Sequence, residues 1–189
     1  ALGQEVSRNL SDEELMAIKA KGGVVQTVAF ASYLDRDKNS AYREALNALH
    51  GEIAAGLGLE ILGFGERRNL SDEERAAYNE QFSQVVELAA PRLEAEVHAI
   101  APPVDVNDFV DHIDYMVKLI GDDSVGISSD FDGGGGIYGW NSAAETHNVT
   151  IELVRRGYTE EQIAALWSGN LLRVLDQVQE VAREIQAAE

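Results

Sequence analysis

The chain has 189 residues, of which 45% are hydrophobic, so it is long enough to bury the core of one domain or of a small domain with an appendage. Acidic residues outnumber basic ones by 33 to 15, and the formal charge of −18 argues against nucleic acid and anionic membrane surfaces as partners. The sequence contains no cysteine, which excludes disulfides and thiolate metal sites and leaves the redox compartment undetermined.

The first predicted helix starts with a capping box of Ser11 and Glu14 and runs to about Lys21, where two glycines end it. A strand rich in β-branched and apolar residues, Val24–Phe30, follows. The next predicted segments are a helix over Ser40–Ala55, a glycine-rich loop over Gly56–Arg68 and a helix over Ser71–Ala90.

The second half of the chain opens with a predicted helix, Asp105–Ile120, whose apolar residues share one face. A second strand, Ser124–Ser129, follows it directly. The remaining predicted helices cover Glu145–Arg156, a segment that starts with a capping box of Thr159 and Gln162, and Asn170–Ile185. The last helix has an apolar stripe at helical spacing, which we interpret as core packing rather than as a cofactor site.

The alternation of strands and helices is typical of an α/β protein with a parallel sheet. Only two convincing strands are predicted, and two strands cannot close a barrel. The pattern therefore indicates part of a larger fold. The sequence Arg-Asn-Leu-Ser-Asp-Glu-Glu occurs twice, at 8–14 and 68–74, and we interpret it as a recurring helix start rather than as a sign of duplicated domains.

The end of the second strand is the most informative segment. Asp130 follows this strand, and four glycines at 133–136 come shortly after it. In barrels of alternating strands and helices, catalytic residues lie at the carboxyl ends of strands, so Asp130 is a candidate catalytic residue. The glycines allow the backbone to approach a ligand closely. A solvated Asp-Gly turn is the alternative interpretation.

Three collinear blocks of the sequence carry a resemblance to a known family. The blocks are Ser7–Leu15 with Gly22–Val25, Asp111–Ile113 with Val125–Gly133, and Arg156–Ile163 with Gly169–Val174. They resemble the membrane (renal) dipeptidase family, including its bacterial members. The first block resembles the segment after that family's sixth strand, the second its approach to the eighth strand, and the third its closing helices. Order and spacing agree with the family except over about 40–103, which is longer than in its compact members.

This resemblance implies that residues 1–189 are the C-terminal part of a (β/α)8, TIM-type barrel, with its last two strands and their helices. It implies that residues 40–103 are a helical insertion in the crossover between those strands. It also implies a dipeptidase with two zinc ions. The family's metal ligands are an early His-x-Asp, a bridging Glu and two histidines at strand ends, and none of them is present here. We therefore assign no metal ligand to this chain and expect the ligands in sequence not shown.

The four histidines of the chain do not lie at predicted strand ends, and we expect packing or surface roles for them. His112, on a predicted helix, is expected to make a structural hydrogen bond. The others are His50, His98 and His147.

Two functional positions are implied by the resemblance. Arg8 matches the family arginine that binds the terminal carboxylate of the substrate, and a guanidinium suits bidentate carboxylate binding. Asp130 matches the acidic residue after the last strand, whose implied role is to orient the metal-bound nucleophile and pass a proton to the leaving amine. Asp132 is expected to be a turn residue or to support Asp130.

The loop after Asp130 is expected to line the substrate mouth. Within it, Gly133 is a candidate substrate-binding residue, and Tyr138 and Trp140 are candidate apolar walls. A solvent-exposed flap is the alternative for this segment.

The leading functional hypothesis is a zinc-dependent dipeptidase, with this chain as its C-terminal portion. The alternative is a non-enzymatic relative that binds a peptide or a partner chain without metal. A different small-molecule enzyme or a cation-binding module that uses Asp130 and Asp132 as a pair ranks below both. The expected partners are a dipeptide substrate, the N-terminal part of the barrel and further copies in an oligomer. Because no signal peptide and no apolar run of roughly 18 residues is visible, we expect a soluble chain without membrane contact, in a cytoplasmic or periplasmic location.

Overall fold

The computed structural model describes residues 6–188, which form two compact units. One unit combines the chain up to Arg36 with the chain from Val104 onward, and the other comprises Asp37–Pro103. Each unit has a hydrophobic core of its own. The second unit lies close in sequence to the predicted insertion at 40–103, and its place within a barrel stays a prediction.

The elements are mostly helical. In chain order they are α1 (Asp12–Ala20), β1 (Val25–Val28), α2 (Ala31–Leu34), α3 (Arg36–Leu57), α4 (Phe64–Arg68), α5 (Asp72–Ala89), α6 (Val106–Ile120), β2 (Val125–Ser128), α7 (His147–Arg155), α8 (Glu160–Ala164) and α9 (Asn170–Ala187).

The predicted helix starts are confirmed by capping boxes in the structure. The Ser11 backbone N–H donates to Glu14 Oε2 at 2.7 Å, and the Ser71 N–H donates to Glu74 Oε2 at 2.9 Å, so both copies of the repeated sequence start a helix in the same way. Thr159 begins α8 with a third capping box.

The two strands form one parallel sheet, as predicted. Val25 pairs with Val125, and the register continues to Val28 opposite Ser128. The core of this unit lies against the sheet, where α6 contacts both strands. Among the fully buried side chains of α6 is Phe109, on the apolar face that the sequence predicts. The described residues therefore form an α/β unit in which both strands end at the same edge.

The second unit is helical. Val85 of α5 and Val97 are fully buried in its core with Leu49 of α3. Arg92 donates to Glu52 at 2.9 Å and to Glu96 at 2.7 Å, which joins α3 to the turns after α5. Those turns keep a helical backbone to His98 beyond the end of α5.

The last helix exposes much of its apolar stripe in the described chain. The stripe comprises Leu171, Val174, Leu175, Val178, Val181, Ala182 and Ile185. Leu171, Leu175, Val178, Val181 and Ile185 are each about half exposed, and no residue of the stripe belongs to a hydrophobic core within residues 6–188. Packing of this stripe in a core therefore stays a prediction for the complete protein.

Candidate active site

The glycine loop after β2 is joined to the chain that leaves β1. The Gly136 backbone N–H donates to the Ala29 carbonyl at 2.8 Å, next to a parallel bridge between Phe30 and Gly136. Further along the loop, the Tyr138 N–H donates to the Val104 carbonyl at 2.9 Å. The carboxyl ends of the two strands and the loop thus form one connected edge, which is where α/β folds place their ligands.

Asp130 lies at this edge and has a backbone conformation that residues other than glycine rarely adopt. Its φ is +55°, and Asp132 has a φ of +65°. The loop folds back on the Asp130 carbonyl, which accepts the N–H groups of Gly133 at 3.1 Å and Gly135 at 2.9 Å. The side chain is half-buried. Two hydrogen bonds to its carbonyl thus fix the left-handed backbone that carries the carboxylate, and such a backbone is a feature found at functional sites.

Gly133 lies directly beside the Asp130 carboxylate. A Cβ at this position would overlap Asp130 Oδ1 and lie 3.0 Å from Asp130 Cγ. A glycine therefore leaves space for the carboxylate. The structure brings Gly133 and Asp130 together, although the sequence suggests a substrate contact for Gly133.

Trp140 lies in the core. Its side chain is 2% exposed and contacts the rings of Phe109, Phe131 and Trp167, with centroids 5.3–5.8 Å apart. Its Nε1 donates to Thr146 Oγ1 at 3.1 Å. This burial corrects the expectation that Trp140 lines a substrate mouth, because an enclosed ring offers no surface to a ligand. It supports the loop instead, through Phe131, the residue after Asp130.

Tyr138, the other aromatic candidate, is 52% exposed. Its position in the loop is set by the backbone bond to Val104. Its role as an apolar wall stays a prediction.

Arg8 lies before α1 at the surface. Its guanidinium carbon is 5.7 Å from the ring centroid of Tyr33 in α2, and the neighbouring Asn9 side chain donates to the Tyr33 carbonyl at 2.8 Å. These contacts place Arg8 beside the chain that leaves β1. The sequence gives no signal for Tyr33, because the pairing joins residues that are 25 positions apart.

A cavity of about 390 Å³ opens next to Arg8, between β1 and helices α1 and α6. His112 lies in its wall, and its Nε2 is 2.8 Å from the Leu34 carbonyl. The predicted structural hydrogen bond of His112 is thereby confirmed. Burial lowers the pKa of this imidazole, which favours its neutral form.

The residues present do not by themselves fit a zinc pair. Among residues 6–188, no three His, Asp or Glu side chains converge in a way that could hold a metal ion. No helix within residues 6–188 has the length and apolar content required to cross a bilayer.

The comparison with protein families decides the family of the chain. The family model described as membrane dipeptidase, peptidase family M19, matches residues 4–189. The chain belongs to the membrane dipeptidase family.

Curated relatives are similar to part of the chain. Dipeptidase ataJ of Aspergillus terreus is 44% identical over 79 residues, which are 41% of this chain and 19% of that protein. Human Dipeptidase 3 is 36% identical over 84 residues, 44% of this chain and 17% of that protein. These matches span about a fifth of the relatives' length.

A solved structure covers more of the chain. The crystal structure of the probable dipeptidase PvdM from Pseudomonas aeruginosa aligns with 95% of this chain and 42% of its own, with a TM-score of 0.59 and 35% identity. The chain thus spans less than half the length of this solved relative.

Proposed function

We propose that the complete protein is a dipeptidase and that this chain supplies the C-terminal part of its active site. The observation that carries the proposal is Asp130, a carboxylate residue with a left-handed backbone at the carboxyl edge of a parallel sheet in a membrane dipeptidase family chain. Relatives named as dipeptidases support the same activity.

Two side chains have separate roles in the proposed reaction, one in substrate binding and one in proton transfer. Arg8 binds the terminal carboxylate of the dipeptide with its planar guanidinium, which fixes where the peptide bond lies. Asp130 takes a proton from the attacking water and delivers it to the nitrogen of the leaving amino acid as the C–N bond breaks. Tyr138 is proposed as an apolar wall for a substrate side chain.

The zinc pair implied by the family resemblance belongs to the proposal for the complete protein. We propose, as the resemblance implies, that its ligands lie in sequence outside this chain; residues 6–188 hold no cluster of three such side chains.

We also propose that the sheet continues as a (β/α)8 barrel, with further strands beside β1. The Thr27 hydroxyl of β1 is buried without a hydrogen-bond partner among the described residues, and Thr27 lines the cavity along this strand. Buried hydroxyls are nearly always paired, so an unpaired one supports additional chain at this place. The exposed stripe of α9 supports packing against the remaining barrel or a second copy.

The test uses the complete protein and four peptides that share one sequence. These are the free dipeptide, its C-terminal amide, its N-acetyl form and a tripeptide, and free amino acids are quantified by chromatography. We expect cleavage of the free dipeptide only, loss of that activity with a chelator, and its return with zinc. An Arg8→Lys variant is expected to raise KM, because a point charge does not reproduce the bidentate contact.

Two outcomes would contradict the proposal. Binding of the dipeptide without hydrolysis under any metal condition would favour the non-enzymatic alternative. Equal cleavage of the dipeptide and its amide would remove the role given to Arg8.

A further inference from the structure

A stack of two aromatic rings lies between Arg8 and the glycine loop. The rings of Phe30 and Tyr33 are parallel within 21°, and their centroids are 4.4 Å apart. The Arg8 guanidinium lies over the Tyr33 ring with 5.7 Å between the guanidinium carbon and the centroid. A cation within about 6 Å of an aromatic face is attracted by the ring quadrupole.

The other end of the stack touches the loop that carries Asp130. Phe30 forms the parallel bridge with Gly136, and a Cβ on Gly134 would be 3.3 Å from Phe30 Cε2, so the glycine backbone lies close against this ring. A side chain on Gly134 would press on the Phe30 ring. Contacts therefore run without a break from the Asp130 loop through Phe30 and Tyr33 to Arg8.

A hydrogen bond to its backbone also holds Tyr33 in place. The Asn9 side chain donates to its carbonyl at 2.8 Å, so the residue next to Arg8 is bonded to the residue under the guanidinium. Arg8 is exposed and its long side chain has many rotamers, so ordering it on substrate binding is unfavourable unless a contact restricts it beforehand.

We propose that Tyr33 is a positioning residue, which holds the Arg8 guanidinium ready for the substrate carboxylate at a fixed distance from the Asp130 loop. The inference rests on the proposed dipeptidase function. Phe30 supports the Tyr33 ring from below. Neither ring touches the reacting atoms, so their contribution appears in substrate binding.

The test is steady-state kinetics of the complete protein with a free dipeptide. Tyr33→Leu is expected to raise KM about two- to fivefold with little change in kcat, which is the range of 0.5–1 kcal/mol for an exposed cation–π contact at 1.4 kcal/mol per factor of ten. Tyr33→Phe keeps the ring and is expected to restore the original KM.

A double-mutant cycle separates positioning from a general effect on folding. In an Arg8→Met background the Tyr33→Leu change is expected to have no further effect on KM, because the cation is already gone. An equal effect in both backgrounds would overturn the proposal. If Tyr33→Leu fails to fold, fluorinated phenylalanines at position 33 replace it, since fluorine weakens the quadrupole and keeps the shape. KM rising with each fluorine supports the proposal, and a flat series overturns it.

The kinetic results distinguish a wrong dipeptidase function from a wrong positioning role of Tyr33. If the unaltered protein does not hydrolyse dipeptides, the proposed function is wrong. If it does so and Tyr33→Leu has the same KM, only the positioning role is wrong.

Discussion

Trp140→Ala is a direct test of the core role that the structure gives to this residue. The ring is 2% exposed and contacts three other aromatic rings. Truncation of a fully buried tryptophan to alanine removes the transfer free energy of the ring and leaves a cavity, so we expect the free energy of unfolding to fall by about 3–5 kcal/mol. Trp140→Phe keeps part of the volume but leaves Thr146 Oγ1 without its donor, which adds about 1 kcal/mol to a smaller packing loss.

The assay is urea unfolding of the complete protein followed by far-UV circular dichroism, because the substitution removes a fluorophore. Tyr138→Ala is the matched control, since this side chain is two positions away in the same loop and 52% exposed. It is expected to change stability by less than about 1 kcal/mol. A loss below 1 kcal/mol for Trp140→Ala, with a raised KM, would refute the core assignment and return Trp140 to the substrate wall.

Two further predictions concern pH and the space beside the catalytic candidate. Burial lowers the pKa of His112 below 6.5, so the unfolded chain binds more protons than the folded chain as the pH falls, and the free energy of unfolding decreases. His112→Gln keeps an N–H for the Leu34 carbonyl and removes the titrating group. This part of the pH dependence should therefore vanish from unfolding curves of the variant recorded between pH 7 and 5. Gly133→Ala should displace the Asp130 carboxylate and lower kcat about tenfold or more. The control is Gly51→Ala, in the interior of α3, where no atom lies near the added Cβ. It should leave kcat unchanged and stabilise the fold by about 0.5–1 kcal/mol. Equal kcat values for Gly133→Ala and Gly51→Ala would contradict the steric argument.

Local sequence patterns predicted the helix starts and the parallel pairing well. Ser11, Ser71 and Thr159 each satisfy a capping box with a residue three positions later, so the information lies within one turn of the chain. The two strands follow from β-branched runs, and their parallel order follows from the helices between them.

Side-chain burial and contacts over long sequence separations were harder to predict. Tyr138 and Trp140 look alike in sequence, and only the packing of Phe109 and Trp167, from distant helices, makes one of them core. The stack under Arg8 joins segments far apart in the chain in the same way. An apolar stripe such as that of α9 indicates a face that packs, but not whether its partner lies within the described residues.

Asp130 is proposed to transfer the proton in dipeptide hydrolysis, and a kinetic comparison of Asp130→Asn with Asp132→Asn in the complete protein tests this role. Asparagine tolerates the left-handed backbone that both positions adopt, so each variant removes a charge and keeps the shape. We expect kcat to fall by about 10²–10⁴ for Asp130→Asn with little change in KM, and to stay near its original value for Asp132→Asn. An unchanged kcat for Asp130→Asn would show that Asp130 does not transfer the proton.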